Sequence, residues 1–206
     1  MIILQKIIDN KRESIDIPIE WFYHDLKSFG LEWELFPYQI EALKNIISVL
    51  YLFYKKMGAV ELYRLYQEEG LSHETEESLA IKEEDENFKF LSRYFSGSMQ
   101  ISFQSFINRA AFWMATGSGK TLVMIKLLAI LADLMNKKLI PQKDILILAP
   151  KDEILTQIKG HIDVFNKGAE IKIMLRNLKE WERIKNQQNL FSQSEINVFY
   201  YRADNI

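Results

Sequence analysis

The chain has 206 residues, of which 48% are apolar and 26% charged, and its formal net charge is −2. This is ordinary globular composition, enough for one domain or one and a half with a sizeable core. There is no cysteine, so disulfides and cysteine metal sites are excluded, and the longest apolar run, Leu122 to Leu134, is too short to span a membrane and is broken by Lys126 and Asp133.

The start, Met1 to Lys6, has no basic region followed by a long apolar core, so it does not read as a signal peptide. A cytoplasmic chain without membrane association is the simplest expectation. Ile15 to Ile19 alternates like a short edge strand or extended arm, with Pro18 confining it to an edge. Trp21 to Phe29 reads as a helical turn or two, stopped by Gly30. Phe36-Pro37-Tyr38-Gln39 opens a helix, and Pro37 suits its first turn. Ile40, Leu43, Ile46, Ile47, Leu50 and Phe53 keep helical spacing to about Lys56. Gly58 interrupts, and a second helix runs from Ala59 to Glu68.

Residues 71–87 carry Glu74, Glu76, Glu77, Glu83, Glu84, Asp85 and Glu86. They read as an exposed helix or loop with a solvated charge run, a carboxylate metal site being the alternative. The stretch 88–112 is rich in phenylalanine and tyrosine, which suits packing better than base stacking. The net charge hides a split: residues 58–105 sum to −6 and residues 106–206 to +5. A polyanion would contact the latter. After Lys137-Lys138, Ile145 to Ala149 is a continuous apolar run, the mark of a central parallel strand ended by Pro150. Asp152 is placed to cap a helix from Glu153 to Phe165. Ala169 to Leu175 reads as a strand, Asn177 to Leu190 as a surface helix, and Ile196 to Tyr201 as a further strand. Strand–helix alternation implies an α/β fold.

The stretch from Ala110 to Leu131 organises the rest. Ala110 to Met114 reads as a buried strand, Thr116-Gly117-Ser118-Gly119 as a tight turn, and Lys120-Thr121 opens an apolar helix. Strand, glycine loop, Lys-Thr, helix is the context of a phosphate-binding loop. Glycines let backbone N–H groups wrap phosphate oxygens, and the helix N-terminus adds its dipole. Lysine supplies a mobile charge and threonine a hydroxyl ligand for Mg²⁺. Met114 stands where the strict pattern has glycine. An ordinary glycine turn is the alternative, and it leaves Lys120 unexplained, since a lysine wedged into a buried strand–helix turn is costly without an anion.

Three pieces stand in order: Pro37-Tyr38-Gln39, the loop Thr116 to Thr121, and Leu148-Ala149-Pro150-Lys151 with Leu155 and Gln157. Together they resemble the Q-motif, motif I and motif Ia of the first RecA-like lobe of superfamily 2 helicases and translocases. The nearest likeness is to the restriction subunit of type III, and related type I, restriction enzymes. The likeness covers residues 36–43 and about 106–160.

The resemblance implies ATP and Mg²⁺ as ligands. Thr116, Gly117, Ser118, Gly119, Lys120 and Thr121 would bind the phosphates, Lys120 and Thr121 as the catalytic contacts and Thr121 on the metal. Gln39 would read adenine, since an amide both donates to and accepts from one purine edge. Pro150 and Lys151 would touch a nucleic-acid backbone, double-stranded DNA being the expected partner.

The implied organisation is an N-terminal arm and Q-motif-like helix (1–57), an acidic, mostly helical insertion (58–105) and an incomplete RecA-like lobe (106–206). The insertion accounts for the 81 positions between Gln39 and Lys120. No Asp-Glu pair closes an apolar strand, as motif II would require. Asp152-Glu153 opens a helix, Asp85-Glu86 lies in the charge run, and Asn205 follows Asp204. The expectation is the N-terminal part of a larger ATP-driven motor, able to bind nucleotide but not to hydrolyse it alone. Its second RecA-like lobe, a possible nuclease domain and a possible modification subunit would be its partners. The other readings are a P-loop kinase or similar enzyme without nucleic acid, and a non-enzymatic interaction module.

Overall fold

The computed structural model describes residues 3–11, 16–56, 58–68, 72–75, 78–80, 100–102, 110–111, 114–186 and 194–205. Its contacts divide the chain into two units: residues 1–19 with 44–113, and residues 20–43 with 114–206.

The first unit holds α1 (Ile3–Lys11), most of α2 (Pro37–Tyr51), one π-helical turn (Leu52–Lys56) and α3 (Gly58–Glu68). Its core includes Ile7 and Ile8 of α1, Ile47 of α2, Leu52, and Leu62, Leu65 and Tyr66 of α3. In α3 Leu65 and Tyr66 stand three and four positions after Leu62, so that helix turns one apolar stripe inward. Burial pushes the Tyr66 hydroxyl well above its ordinary pKa. Beyond α3 lies a three-stranded antiparallel sheet, β3 (Ser72–Thr75), β4 (Ser78–Ala80) and β5 (Gln100–Ser102), in that order. Among the described residues of the expected mostly helical insertion, helix runs from Gly58 to Glu68 and short strands follow. Ser72 pairs with Ala80 and Thr75 with Ser78, a pairing that the count of acidic residues did not reveal. The rest of the acidic run, and the aromatic residues from 88 to 99, lie outside the described residues.

The second unit carries the parallel sheet. Its strands are β6 (Ile145–Ala149), β7 (Lys172–Asn177) and β8 (Glu195–Arg202), in the order β6-β8-β7. Ile145 pairs with Val198 and Ala149 with Arg202, while Lys172 pairs with Glu195 and Asn177 with Tyr200. The helix α4 (Lys120–Asn136) follows the glycine loop, and α5 (Asp152–Asn166) connects β6 to β7. Ile147, Ala149, Ile173, Ile196 and Val198 are buried with Ile125, Leu128 and Ala129 of α4 and Ile158, Ile162 and Phe165 of α5. Each such side chain contributes about 1.5–3 kcal/mol on burial.

Several boundaries differ from expectation. The run Ile145–Ala149 was expected to be a central strand; among the described residues β6 pairs only with β8, and Leu146 and Leu148 are exposed. Asp152 does not cap α5. Lys151 is the N-cap residue, with extended backbone and no side-chain cap bond, and Asp152 is the first helical residue. The surface helix expected over 177–190 is a 3₁₀ turn (Leu178–Glu180) followed by the short α6 (Trp181–Asn186). Of the helical turns expected over Trp21 to Phe29, a single 3₁₀ turn covers Ile19–Trp21, and Ser28-Phe29 form a strand instead. Of the expected strand before the loop, Ala110, Ala111 and Met114 carry no regular structure, and Phe112 and Trp113 lie outside the described residues.

A small antiparallel hairpin, β1 (Ser28–Phe29) and β2 (Trp33–Glu34), belongs to this second unit. Phe29 meets the Phe165 ring at 5.2 Å, and Trp33 meets His161 edge-on at 5.8 Å. The turn has Gly30 at φ +72°, where a Cβ would sit 2.4 Å from the Val164 carbonyl oxygen. Only glycine allows that approach of the hairpin to α5. At the same helix end Asn166 donates from Nδ2 to the Ile173 carbonyl and accepts the Ile173 N–H, both at 2.9 Å.

Candidate functional site

The glycine loop turns through two left-handed residues, Gly117 at φ +79° and Gly119 at φ +75°. Gly119 is the N-cap residue of α4, and its carbonyl accepts from Leu122 N (2.9 Å) and Val123 N (3.3 Å). The N–H groups of a helix's first turn have no partner inside the helix, so they and the helix dipole face the loop. The hydroxyl of Ser118 is buried without a hydrogen-bond partner among the described residues. An orphaned hydroxyl beside a helix N-terminus fits an anion-binding turn.

Lys120 is exposed, contrary to the expectation of a lysine wedged into a buried turn. Its Nζ donates to the carbonyl oxygens of Met114 (3.0 Å) and Ala115 (2.9 Å), so the ammonium spans the mouth of the loop. Carbonyl dipoles hold the cation at the position where phosphate oxygens would compete for it. The argument from burial cost therefore lapses, and the loop geometry takes its place. Thr121 follows as the second residue of α4 and is half-buried.

Gln39 is only 1% exposed, so it is not a solvent-facing glutamine. Its Oε1 accepts from the Phe36 N–H at 2.8 Å, and its Nε2 donates to the Ser118 carbonyl at 2.8 Å. The first bond closes the N-terminus of α2: the side chain of the third helical residue reaches back to the N–H of the residue before Pro37. The second ties that helix to the glycine loop. Tyr38 Oη donates to the same carbonyl at 3.0 Å. Gly119 is required twice over, by its φ and because a Cβ there would lie 2.5 Å from Gln39 Nε2.

Sequence reasoning did not single out Phe36 and Tyr38 individually. They are 61% and 49% exposed, and their rings stack at 5.7 Å with only 8° between planes. Exposed stacked aromatics beside a glycine loop were legible as residue types, but their exposure was not.

Pro150 and Lys151 are both exposed at the end of β6. Beside them, Arg202 at the end of β8 donates to Asp152 from NH1 at 2.9 Å, and pairs with Asp204 through Nε and NH2. Those hydrogen bonds, first of all with Asp204, raise the Arg202 pKa and lower that of Asp204. Sequence reasoning missed this cluster because its partners lie 50 positions apart.

A parallel sheet flanked by helices, with a left-handed glycine turn at the head of one of them, defines an α/β lobe of the P-loop type. The chain belongs to the family of the type III restriction enzyme res subunit, whose family model matches residues 32–203. It is thus a helicase-like domain with an incomplete RecA-like fold. Neither a curated protein nor a solved structure matches the chain. No helix among the described residues is long and apolar enough to cross a membrane.

Proposed function

We propose that this domain binds ATP–Mg²⁺ at the glycine loop and serves an ATP-driven motor that moves on double-stranded DNA in a restriction system. The observation that carries the reading is the joint between Gln39 and Ser118, which sets the start of α2 against a loop with two left-handed glycines. The loop supplies backbone donors and the α4 N-terminus its dipole for the triphosphate. Lys120 leaves the carbonyls of Met114 and Ala115 for phosphate oxygens, an exchange of dipoles for full negative charge. Thr121 would hold Mg²⁺, which would neutralise phosphate charge there. The exposed faces of Phe36 and Tyr38 offer a stacking surface for the base, and adenine reading by Gln39 requires its buried amide to leave the Phe36 N–H or the Ser118 carbonyl.

DNA contact at Pro150 and Lys151 rests on their exposure at the sheet's C-terminal edge, where α/β sheets bind ligands. The test is equilibrium titration of the 206-residue chain with ATP–Mg²⁺ and with duplex DNA at several salt concentrations. Saturable nucleotide binding lost in Lys120→Ala, with DNA affinity that falls steeply as salt rises, supports the motor. Nucleotide binding without any DNA affinity favours a P-loop enzyme acting elsewhere.

A further inference from the structure

The helix that begins at the phosphate loop carries a cation in its core. Lys126 is 3% exposed, in a helix whose neighbours at Ile125, Leu128 and Ala129 are buried apolar residues. Its Nζ donates to the Ser28 carbonyl at 2.7 Å and lies over the Tyr23 ring (4.9 Å) and the Phe165 ring (5.7 Å). Such a charge is costly to bury unless it is paired, and Asp25 acts on it through space and not by a hydrogen bond. Asp25 instead accepts the N–H groups of Lys27 and Ser28, both at 3.0 Å, and so aims the Ser28 carbonyl.

From Ser28 the contact passes along a short rigid path. Ser28 pairs with Glu34 across the hairpin, and Leu35 N donates to the Lys27 carbonyl at 2.7 Å. The next residue is Phe36, whose N–H is held by Gln39, which in turn holds Ser118. One end of α4 thus carries the phosphate loop, and Lys126 on the same helix anchors the strap that carries Phe36, Tyr38 and Gln39.

The geometry points to Lys126 as a positioning residue that fixes the base-side residues Phe36, Tyr38 and Gln39 relative to the phosphate loop, and so sets the preference for a nucleotide over a bare polyphosphate. This rests on the nucleotide reading of the loop. A charge-assisted hydrogen bond has a direction that an apolar contact lacks. A methionine of similar length would fill the same space and relieve the buried charge, but it would leave the strap free to shift on α4.

The experiment compares wild type and Lys126→Met, measuring thermal stability and affinity for ATP–Mg²⁺ and for tripolyphosphate–Mg²⁺. The expected result is a variant at least as stable as wild type at neutral pH, with ATP affinity lower by about tenfold and tripolyphosphate affinity unchanged. Equal losses for both ligands, or no loss for either, overturn the inference. Wild-type protein that binds neither ligand overturns the nucleotide site itself, and this inference with it. Amide hydrogen exchange on wild type needs no variant. Protection of the Ser28 and Leu35 amides by ATP but not by tripolyphosphate supports the role, and equal protection by both, or by neither, refutes it.

Discussion

The amide of Gln39 and the carbonyl of Ser118 lie 2.8 Å apart, joining residues 79 positions distant in sequence. The Gln39 side chain is buried, and its carbonyl oxygen caps α2 through the Phe36 N–H. One side chain therefore serves helix initiation and loop geometry at once.

Replacing Gln39 by alanine removes both bonds and leaves the half-buried Phe36 N–H and Ser118 carbonyl less well satisfied. The expected loss is about 1–3 kcal/mol in urea unfolding. Glutamate at this position still accepts from Phe36 but cannot donate to Ser118. Gln39→Glu should therefore keep the helix start, by circular dichroism, while weakening ATP binding in a fluorescence titration.

Gly119 and Gly117 separate two effects. Both have positive φ, so alanine at either strains the backbone by roughly 1 kcal/mol. Among the described residues, a Cβ at Gly117 meets nothing within 4 Å, whereas at Gly119 it meets Gln39 Nε2. Gly119→Ala should cost clearly more than Gly117→Ala. The excess should vanish in a Gln39→Ala background, a non-additivity that a double-mutant cycle reads directly.

Lys120 lies at the surface and, among the described residues, bonds only to loop carbonyls. Lys120→Ala should shift stability by less than about 0.5 kcal/mol, as surface changes do. If the same change leaves ATP affinity intact, the phosphate role assigned to this lysine is wrong.

Burial lowers the Lys126 pKa to about 8 from its ordinary 10.5, the Asp25 charge opposing the shift only in part. The folded state therefore disfavours the proton. The cost is fully present below pH 8 and fades as pH rises toward 10.5, where the unfolded chain loses its proton too. Lys126→Met should be more stable than wild type at pH 7, and the gap between their melting temperatures should narrow by pH 9.5. A gap that is constant or widens over that range would exclude a buried charge as its source.

Lys151 is exposed beside Pro150, while the charge of Arg202 is matched by Asp152 and Asp204. If Lys151 touches one DNA phosphate, Lys151→Ala should reduce the slope of log affinity against log salt by about 1. An unchanged slope would remove it from the interface.

The elements nearest the site were legible because their signals are short-range. Helical spacing marked α3, α4 and α5 to within a residue or two, and α2 only when its π-helical turn to Lys56 is included, while the apolar runs marked β6 and β8. The acidic stretch misled because charge density records solvation and not backbone conformation, so β3 and β4 were missed. Asp152 looked like a helix cap by residue type, yet Arg202 across the sheet edge bonds it instead. Lys126 was visible only as an interruption of an apolar run. Nothing within one helix says whether such a lysine faces water or an aromatic pocket.

The sequence by itself determined the glycine turn, the helix behind it, the α/β alternation and the family, since each depends on residues close together in the chain. The tertiary structure alone decided that Gln39 holds Ser118, that Lys120 lies exposed across its own loop, and that Lys126 anchors Ser28 from 98 positions away. Local preference is set by neighbours within a turn or two. The partner of a buried polar group is set by which segments the whole core brings together.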